Sequence, residues 1–588
     1  MQALGKGGRT DRLIAISFGL LLVACLLFVS AVSGRFSLSA LEADNAMRLV
    51  EIQDYLNGQN WFDVSQARLG PGGGTAMHWS RLVDLPILLI RAVLDVFLSP
   101  EAALYWAVMI WPPLSVLLLV FGLVAGARFL GGRAVLIFTC IIAGTILFRH
   151  QNFLSGSIDH HNLQMGFLAI SLAFSIDPKR TPASLALAGA ALASSLAVGV
   201  EVYLFVAVIC AFHGLDWAVA GRAARNGAAA FGASLGLMTA VFFFASISPS
   251  YYGAVSCDAL SIVTVYAAML GGLGLAIAAF SLSAKSLVWR LAGLGILGAA
   301  CGLLLKLQAP QCLANPIDAL PEFVRTMWLD NVAEARPFFA PRPNMLQEGP
   351  FMIGISLVAA LVSARQIGTG THRRAHILFL ALILADLFMT LQQIRFYSFG
   401  HIFAILPLGV WVAGLYSAKP EGGERGVAYV LALAVSVPLV WGAPGLFLKG
   451  KAANGGTSPV AGATCAGPDT LAALDAQPAG LVLAVADTAP DILRHTGQRA
   501  LYGHYHRNVA GIDLALRIFI TGPDEAAELI ESGGVNYILA CPSHPEMTLL
   551  GQAYPEGLAA RLVAGDRVTF LTPIVAAESG ETLYAITR

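Results

Sequence analysis

Residues 134–176 read AVLIFTCIIAGTILFRHQNFLSGSIDHHNLQMGFLAISLAFSI, and this stretch decides the fold class. Two apolar runs enclose a short polar connection that carries Asp159, His160 and His161 side by side. Apolar runs joined in this way are typical of neighbouring membrane-spanning helices. An unpaired ionisable group beside a membrane costs about 2–4 kcal/mol. Three such groups together therefore raise the question of a functional site.

The whole chain of 588 residues has the same apolar character. Hydrophobic residues make up 57% and charged residues 12%, and the mean hydropathy is +0.71. A soluble core of this size does not need so much apolar surface, so the composition indicates a multi-span protein of a lipid bilayer. The formal net charge is zero, which argues against a nucleic-acid partner.

The hydropathy pattern predicts about 13 transmembrane helices. The first apolar run follows a basic N-terminus without a convincing cleavage site, so we expect it to be retained as a span. The predicted apolar segments are 13–33, 103–127, 134–149, 163–176, 182–199, 202–220, 228–248, 260–282, 288–306, 351–364, 375–392, 397–416 and 426–447.

The distribution of Lys and Arg predicts the orientation of these helices. Alternate connections are short and basic, as the positive-inside rule requires of cytoplasmic loops. The opposite set contains the long loops 34–102 and 308–350, and everything after residue 448. We therefore expect a multi-pass protein of a bacterial plasma (inner) membrane. Its N-terminus would be cytoplasmic and its C-terminal domain periplasmic or extracellular.

The composition changes after the last apolar segment. Residues 448–478 are rich in Gly, Ala and Pro and are predicted to be a linker. Residues 479–588 contain five short strand-like segments with helical stretches between them. The predicted fold is thus an all-α polytopic membrane domain over residues 1–447, with outer loops 34–102 and 308–350, followed by a small extracytoplasmic α/β domain.

Four of the eight cysteines lie outside the predicted spans. Cys257 and Cys312 flank a helix hairpin on the outer side, and Cys465 and Cys541 lie in the C-terminal region. In an oxidising compartment these two pairs suggest two disulfides, with free thiols as the alternative.

Carboxylates and imidazoles recur on the predicted outer side. Asp44 follows the first span, Asp159 and His161 precede the fourth, and Glu334 lies in the loop 308–350. Each has an ordinary role when taken alone: Asp44 as a helix cap, the Asp-His-His tripeptide as a solvated loop, Glu334 as a surface carboxylate. Together they suit a divalent ion such as Mg²⁺ or Mn²⁺, which prefers oxygen ligands and keeps positions open for phosphate.

This ordered set resembles the catalytic subunit of oligosaccharyltransferases, which are membrane glycosyltransferases of the GT-C class. In that family an Asp of the first outer loop, an acidic-x-acidic or Asp-x-His motif of the second and a Glu of a Thr/Ser-Val/Ile-x-Glu motif hold one metal ion. The matching positions are Asp44, Asp159 with His161, and Glu334 in NVAE. The resemblance implies that these four bind the metal, that Asp44 and Glu334 are catalytic, and that Arg395 in QQIRFYSFG contacts the donor phosphate.

Other polar residues are weaker candidates. Arg48 lies one helical turn after Asp44, where it could bind phosphate or form an i,i+4 ion pair. Glu201 in VGVEVYLF lies at a predicted membrane boundary and receives a lower weight. The remaining candidates for donor or acceptor contacts are His78, Arg81, His160, His504, His506 and Arg507.

The acceptor is the least defined part of the predicted function. Protein-glycosylating members of the family carry a WWDYG motif in the outer domain, but this chain has no Trp after Trp441. Residues 486–508 are instead rich in His and Arg, which suggests an anionic acceptor, a lipid headgroup or a plain solvated surface.

We therefore expect a metal-dependent enzyme that moves a sugar or oligosaccharide from a polyprenyl-(pyro)phosphate donor to a polysaccharide, lipid or protein hydroxyl. The alternatives are a true oligosaccharyltransferase acting on protein Asn, and a lipid-linked glycan flippase or transporter. A transporter usually places its ionisable residues near the centre of the bilayer.

Overall fold

A computed structural model describes residues 8–314, 320–341, 345–418, 425–448, 465–577 and 580–587. The chain divides into two compact units. The first unit consists of Met1–Phe36, Ser80–Ala314 and Ala333–Ala452, and the second of Ser37–Trp79, Asn315–Val332 and Ala453–Arg588.

The described residues of the first unit are mainly helical. Apolar helices suit a membrane because they satisfy all backbone hydrogen bonds within the segment. Its α-helices are Arg9–Val32, Leu85–Leu94, Pro100–Leu130, Arg133–Leu147, His161–Ser175, Pro182–Val198, Tyr203–Ala220, Arg225–Ser246, Ile262–Leu282, Leu287–Gln308, Met345–Thr369, Arg373–Gln392, Tyr397–Ser417, Arg425–Val435 and Pro438–Leu448.

All 13 predicted apolar segments coincide with helices, which confirms the all-α membrane fold. Among the described residues, nine helices are long and apolar enough to cross a membrane. Arg133–Leu147 and Pro182–Val198 are shorter apolar helices. The last predicted segment, 426–447, is split into two helices, the second of which starts at Pro438, because proline fits the first turn of a helix but not its interior. The number of 13 spans therefore stays a prediction.

Small residues bring the helices of the first unit close together. An ideal Cβ on Gly122 would lie 2.6 Å from the backbone carbon of Ala169. The helix Pro100–Leu130 therefore meets the helix His161–Ser175 at backbone distance, as small residues allow in membrane helix packing. This contact fixes the helix that follows the Asp-His-His tripeptide.

The second unit contains a five-stranded mixed sheet. Its strands are β3 (Leu481–Leu483), β4 (Arg499–Ala500), β5 (Tyr537–Ala540), β6 (Leu571–Ala576) and β7 (Thr582–Ile586), in the order β4-β3-β5-β7-β6. β3 is parallel to β4 and β5, and β7 is antiparallel to β5 and β6. The helices of this unit are Ala43–Leu56, Glu322–Met327, Pro468–Asp475, Ala489–His495, Val509–Ile520, Pro523–Gly533, Pro545–Ala553 and Leu558–Ala564. The predicted small α/β fold is thus confirmed.

The second unit is larger than the predicted domain 479–588. Met47 and Val50 of the first outer loop, and Val324 and Trp328 of the later loop, are buried in the same apolar core as the sheet. The short strands β1 (Ser65–Gln66) and β2 (Thr75–Ala76) also belong to this unit.

The linker prediction over 448–478 does not hold throughout. A helix occupies Pro468–Asp475, where Pro468 starts the first turn and an apolar face reaches the core. Residues 449–464 lie outside the described part of the chain.

Two disulfides join the cysteine pairs singled out in the sequence. Cys257 and Cys312 are joined in the first unit with a Cα–Cα distance of 5.1 Å. Cys465 and Cys541 are joined in the second unit with a Cα–Cα distance of 5.6 Å. Both distances lie in the usual range for a disulfide.

Candidate active site

The Asp-His-His tripeptide lies at the start of the helix His161–Ser175 in the first unit. The Oδ1 atom of Asp159 is 2.7 Å from Nδ1 of His160, and its Oδ2 atom is 2.9 Å from Nδ1 of His161. A carboxylate is favourable beside the N-terminus of a helix because the backbone N–H groups there are unpaired. The two imidazoles therefore face a single carboxylate whose position the helix start favours.

Glu201 completes this cluster, although the sequence analysis assigned it a low weight. It lies on the short 3₁₀ turn Val200–Val202 between two apolar helices. Its Oε1 atom is 2.6 Å from Nε2 of His160 and 3.9 Å from Nε2 of His161. The available signal was the Gly199 break in the apolar run, which places Glu201 in a connection between spans.

Arg395 links this cluster to Glu334. Its Nη2 atom is 4.0 Å from Oε2 of Glu201, and its Nη1 atom is 3.9 Å from Oε1 of Glu334. Two backbone hydrogen bonds hold the neighbouring segments together: Ile394 N–H donates to the Arg336 carbonyl at 3.1 Å, and Phe338 N–H donates to the Leu391 carbonyl at 3.1 Å. The structure thus brings Glu334 and Arg395 together with the tripeptide.

The contacts of His160 favour its doubly protonated, cationic form at the centre of the site. Both of its ring nitrogens lie at hydrogen-bond distance from a carboxylate, so both must carry a proton to donate. Burial alone would lower the pKa of His160, but the charges of Asp159 and Glu201 and the hydrogen bonds to them raise it to about 10. Burial likewise opposes ionisation of Asp159, and the two imidazoles outweigh it and hold its pKa well below the usual range.

Asp159 and His161 fit a metal ion. Ligand atoms of Asp159, His160 and His161 lie within 4.8 Å of one another, a spacing that allows them to share an ion. His160 is occupied on both sides by carboxylates. The Nδ1 atom of His161 is buried and lies 2.9 Å from Oδ2 of Asp159 without hydrogen-bond geometry, so this nitrogen and the Asp159 carboxylate could share a metal ion.

Gly199 and Gln164 support this arrangement from behind. The Gln164 side chain donates to the Gly199 carbonyl at 3.0 Å. An ideal Cβ on Gly199 would lie 2.7 Å from Cδ2 of His160 and 2.5 Å from Nε2 of Gln164. The turn that carries Glu201 therefore packs directly on the His160 ring, with no room for a side chain at position 199.

The other predicted site residues near the N-terminus are distant from the Asp-His-His tripeptide in sequence. Asp44 is exposed in the first turn of Ala43–Leu56, in the second unit. The buried Arg48 places its guanidinium carbon 4.7 Å from the Trp79 ring, a cation–π contact. Arg81 belongs to the first unit and forms a buried ion pair of 3.3 Å with Asp84. The predicted roles of these residues stay predictions.

The predicted His and Arg residues of the C-terminal region lie in the second unit. The rings of His506 and His78 are 4.5 Å apart. Arg507 donates to the Met77 carbonyl at 3.1 Å, which ties the two chain segments of this unit together. His504 lies 3.3 Å from Asp487. Arg507 therefore has a structural contact in addition to its predicted role in binding.

Comparisons with known proteins identify the fold. No protein-family model matches the chain, and no curated protein matches it by sequence. The archaeal oligosaccharyltransferase AglB from Archaeoglobus fulgidus, in complex with an inhibitory peptide and a dolichol-phosphate, is similar with a TM-score of 0.65 at 13% identity, over 99% of this chain and 75% of that chain.

Two further structures of the Archaeoglobus fulgidus oligosaccharyltransferase agree. The apo form has a TM-score of 0.62 at 14% identity, over 98% of this chain and 74% of that one. The complex with Zn and sulfate has a TM-score of 0.56 at 14% identity, over 96% of this chain and 73% of that chain. The chain therefore has the fold of an archaeal oligosaccharyltransferase, as the resemblance seen in its sequence implied.

Proposed function

We propose that this protein is a metal-dependent membrane glycosyltransferase. It moves a sugar or oligosaccharide from a polyprenyl-(pyro)phosphate donor to an extracytoplasmic acceptor. The observation that carries the proposal is the meeting of Asp159, His161, Glu201, Glu334 and Arg395 in one site of the first unit. The AglB complexes with dolichol-phosphate and with Zn and sulfate support a lipid phosphate donor and a divalent ion.

Asp159 and His161 would hold the divalent ion, which we expect to be Mg²⁺ or Mn²⁺. Glu201 and Glu334 offer further oxygen atoms, and Asp44 stays a predicted ligand. When bound, such an ion supplies positive charge that stabilises a phosphate leaving group. The buried His160 between Asp159 and Glu201 keeps both carboxylates oriented, because moving either one breaks a charge-assisted hydrogen bond.

Arg395 would hold the donor phosphate. Its guanidinium is only loosely paired with Glu201 and Glu334, at 4.0 and 3.9 Å, so a phosphate could replace these partners with shorter charge-assisted hydrogen bonds. Charge that develops on the leaving group is stabilised best by groups that are already in position. Asp44 is the proposed base that accepts the proton of the acceptor.

The acceptor separates this proposal from its nearest alternative. An AglB structure was solved tethered to a peptide containing the NVT sequon, which favours transfer to protein Asn as the second candidate. The present chain has no Trp after Trp441, so it lacks the WWDYG motif and we favour a hydroxyl acceptor.

The experiment is glycan and lipid profiling of a deletion strain complemented with variants. We expect the deletion to lose a decorated surface glycan, wild type to restore it, and Asp159→Asn to fail although the protein is present in the membrane. Asp513→Asn, which changes an exposed ion pair with Arg517 in the second unit, is the matched control and should restore the glycan. Restoration by Asp159→Asn would contradict the proposal. Accumulation of an inward-facing lipid carrier in the deletion strain would favour a flippase.

A further inference from the structure

The second unit contains a polar cluster that the proposed chemistry does not use. Its centre is Asp487, whose Oδ1 atom is 3.3 Å from Nε2 of His504 and whose Oδ2 atom is 3.7 Å from Nε2 of His544. Each oxygen of the carboxylate thus has its own imidazole beside it. The Asp487 side chain is 54% exposed, so the cluster is accessible to a ligand.

Both imidazoles have a fixed tautomer. Trp328 Nε1–H donates to Nδ1 of His504 at 2.7 Å, and an indole nitrogen can only donate. The backbone N–H of Glu546 donates to Nδ1 of His544 at 3.3 Å. Nδ1 must therefore accept in both neutral rings, and the proton of each ring lies on Nε2, which faces Asp487.

This arrangement argues against an anionic ligand, which is one of the alternatives that the His and Arg content of residues 486–508 left open. The neighbouring imidazoles of His504 and His544 lower the pKa of Asp487, although burial opposes this shift, so the group is a carboxylate at neutral pH. A carboxylate repels anions and accepts hydrogen bonds. A metal ion does not fit either, because both imidazoles present an N–H group rather than a lone pair.

The cluster does fit hydroxyl groups. A hydroxyl donates one hydrogen bond and accepts others, so it can donate to one oxygen of Asp487 and accept from the adjacent imidazole. An ammonium group cannot accept. The contacts of 3.3 and 3.7 Å between the imidazoles and the carboxylate are long, which leaves both N–H groups able to turn to a ligand. One Asp487 oxygen with the N–H group of His504, and the other oxygen with that of His544, each form such a pair of acceptor and donor. The cluster therefore matches two neighbouring hydroxyls.

A second observation also points to a ligand here. The Thr488 side chain is 3% exposed, yet its hydroxyl has no hydrogen-bond partner among the residues that the structure describes. Buried polar groups are normally paired, and an orphaned one calls for an explanation. Thr488 directly follows Asp487 on the 3₁₀ turn Ala486–Thr488.

The cluster also lies close to Asp44 within the second unit. Tyr505, which follows His504, donates its hydroxyl to the Ala43 carbonyl at 3.3 Å. Ala43 precedes Asp44, the proposed base, so a ligand held by His504 lies near the residue that would take its proton.

We propose that Asp487, His504 and His544 bind a carbohydrate acceptor through two neighbouring sugar hydroxyls. This inference rests on the proposed function, which supplies the transfer to that acceptor. Recognition needs the Asp487 carboxylate, the two Nε2–H groups and the Trp328 contact that fixes one of them.

The test measures binding by the full-length protein in nanodiscs, with EDTA present and without donor. Saturation-transfer NMR would compare neutral, amino-substituted and carboxylated hexasaccharides with a hexapeptide containing Asn-Val-Thr. We expect neutral hexasaccharides to give the strongest signal. Asp487→Asn, which keeps the shape of the side chain but places an amide donor there, should weaken their binding about tenfold, the loss expected for one charged hydrogen bond.

The controls keep the two proposals distinguishable. His544→Gln should weaken sugar binding in the same direction, and Asp513→Asn should leave it unchanged. Three results would each overturn this inference. The carboxylated sugar or the peptide could bind most strongly, no neutral sugar could bind, or Asp487→Asn could bind neutral sugars as wild type does. Because no metal ion or donor is present, intact sugar binding in a protein unable to transfer would count against the proposed function instead.

Discussion

Gly199→Ala is the sharpest perturbation of the candidate active site. The added methyl group would lie 2.7 Å from Cδ2 of His160 and 2.5 Å from Nε2 of Gln164. Both distances are shorter than a non-bonded contact allows, so at least one neighbour must move. His160 is held between Asp159 at 2.7 Å and Glu201 at 2.6 Å, and any displacement of its ring lengthens one of these contacts.

The size of the effect follows from the contact that is lost. A hydrogen bond to a charged group contributes about 1.5–3 kcal/mol, and overpacking of a well-filled site costs about 1–3 kcal/mol. Loss of a group that orients a metal ligand typically weakens metal binding by about 10–100-fold. We therefore expect Gly199→Ala to lower the affinity for Mn²⁺ at least tenfold and to reduce transfer in proportion.

The assay is a titration of the purified protein with Mn²⁺, in which binding is measured by calorimetry or from the electron paramagnetic resonance signal of free Mn²⁺. Gly302→Ala is the matched control, because an added Cβ there meets no atom within 4 Å and alanine favours the helix. The control should bind Mn²⁺ like wild type. If Gly199→Ala also binds Mn²⁺ with the affinity of wild type, the reasoning about His160 is refuted.

Three further predictions concern single charged groups. Glu201→Gln keeps an acceptor for His160 but removes a charge, so Mn²⁺ affinity should fall about tenfold; unchanged affinity in the same titration would remove Glu201 from the site. Arg395→Lys should raise the KM for the lipid donor at unchanged protein stability, because lysine cannot form the forked contact that arginine makes with phosphate; an unchanged KM contradicts the role of Arg395. The pKa of Asp487 lies below its unfolded value of about 3.9. The ionised Asp487 carboxylate should therefore stabilise the fold fully above that pH and lose this effect as the pH falls further. In differential scanning fluorimetry, the difference in Tm between wild type and Asp487→Asn should become smaller below about pH 4.

The membrane fold could be predicted because it depends on local sequence. Apolar segments of 14–25 residues form helices wherever backbone groups lack water, whatever their neighbours are. The sequence analysis predicted one continuous segment over 426–447 and missed the split at Pro438, although its cause is also local, since proline disfavours a helix interior.

The site was predictable in part. Asp159 and His161 stand out because charged residues are rare between apolar runs, and Glu334 and Arg395 matched positions of a known family. Glu201 was underweighted because its neighbours in VGVEVYLF are apolar on both sides. Its role depends on a turn that bends it toward His160, 41 residues away in sequence, and hydropathy carries no information about such a contact.

The extent of the second unit could not be predicted for a related reason. Trp328 reaches His504 across 176 residues of sequence, and Arg68 donates to the Thr496 carbonyl at 2.8 Å across 428 residues. Loops such as 34–102 and 308–350 have no strong periodicity, so their partners depend on tertiary packing. A pattern-based boundary therefore stopped at the start of the sheet.

The charges of the first unit suggest an order of binding for the proposed reaction. Asp159, Glu201 and Glu334 face the two cations His160 and Arg395, which leaves one net negative charge when His161 is neutral. Such a site attracts a divalent cation before it attracts a phosphate. Binding of that cation would reverse the sign of the site and release Arg395 from its loose carboxylate partners. The donor phosphate would then meet a positive site, so metal should increase the affinity for the donor.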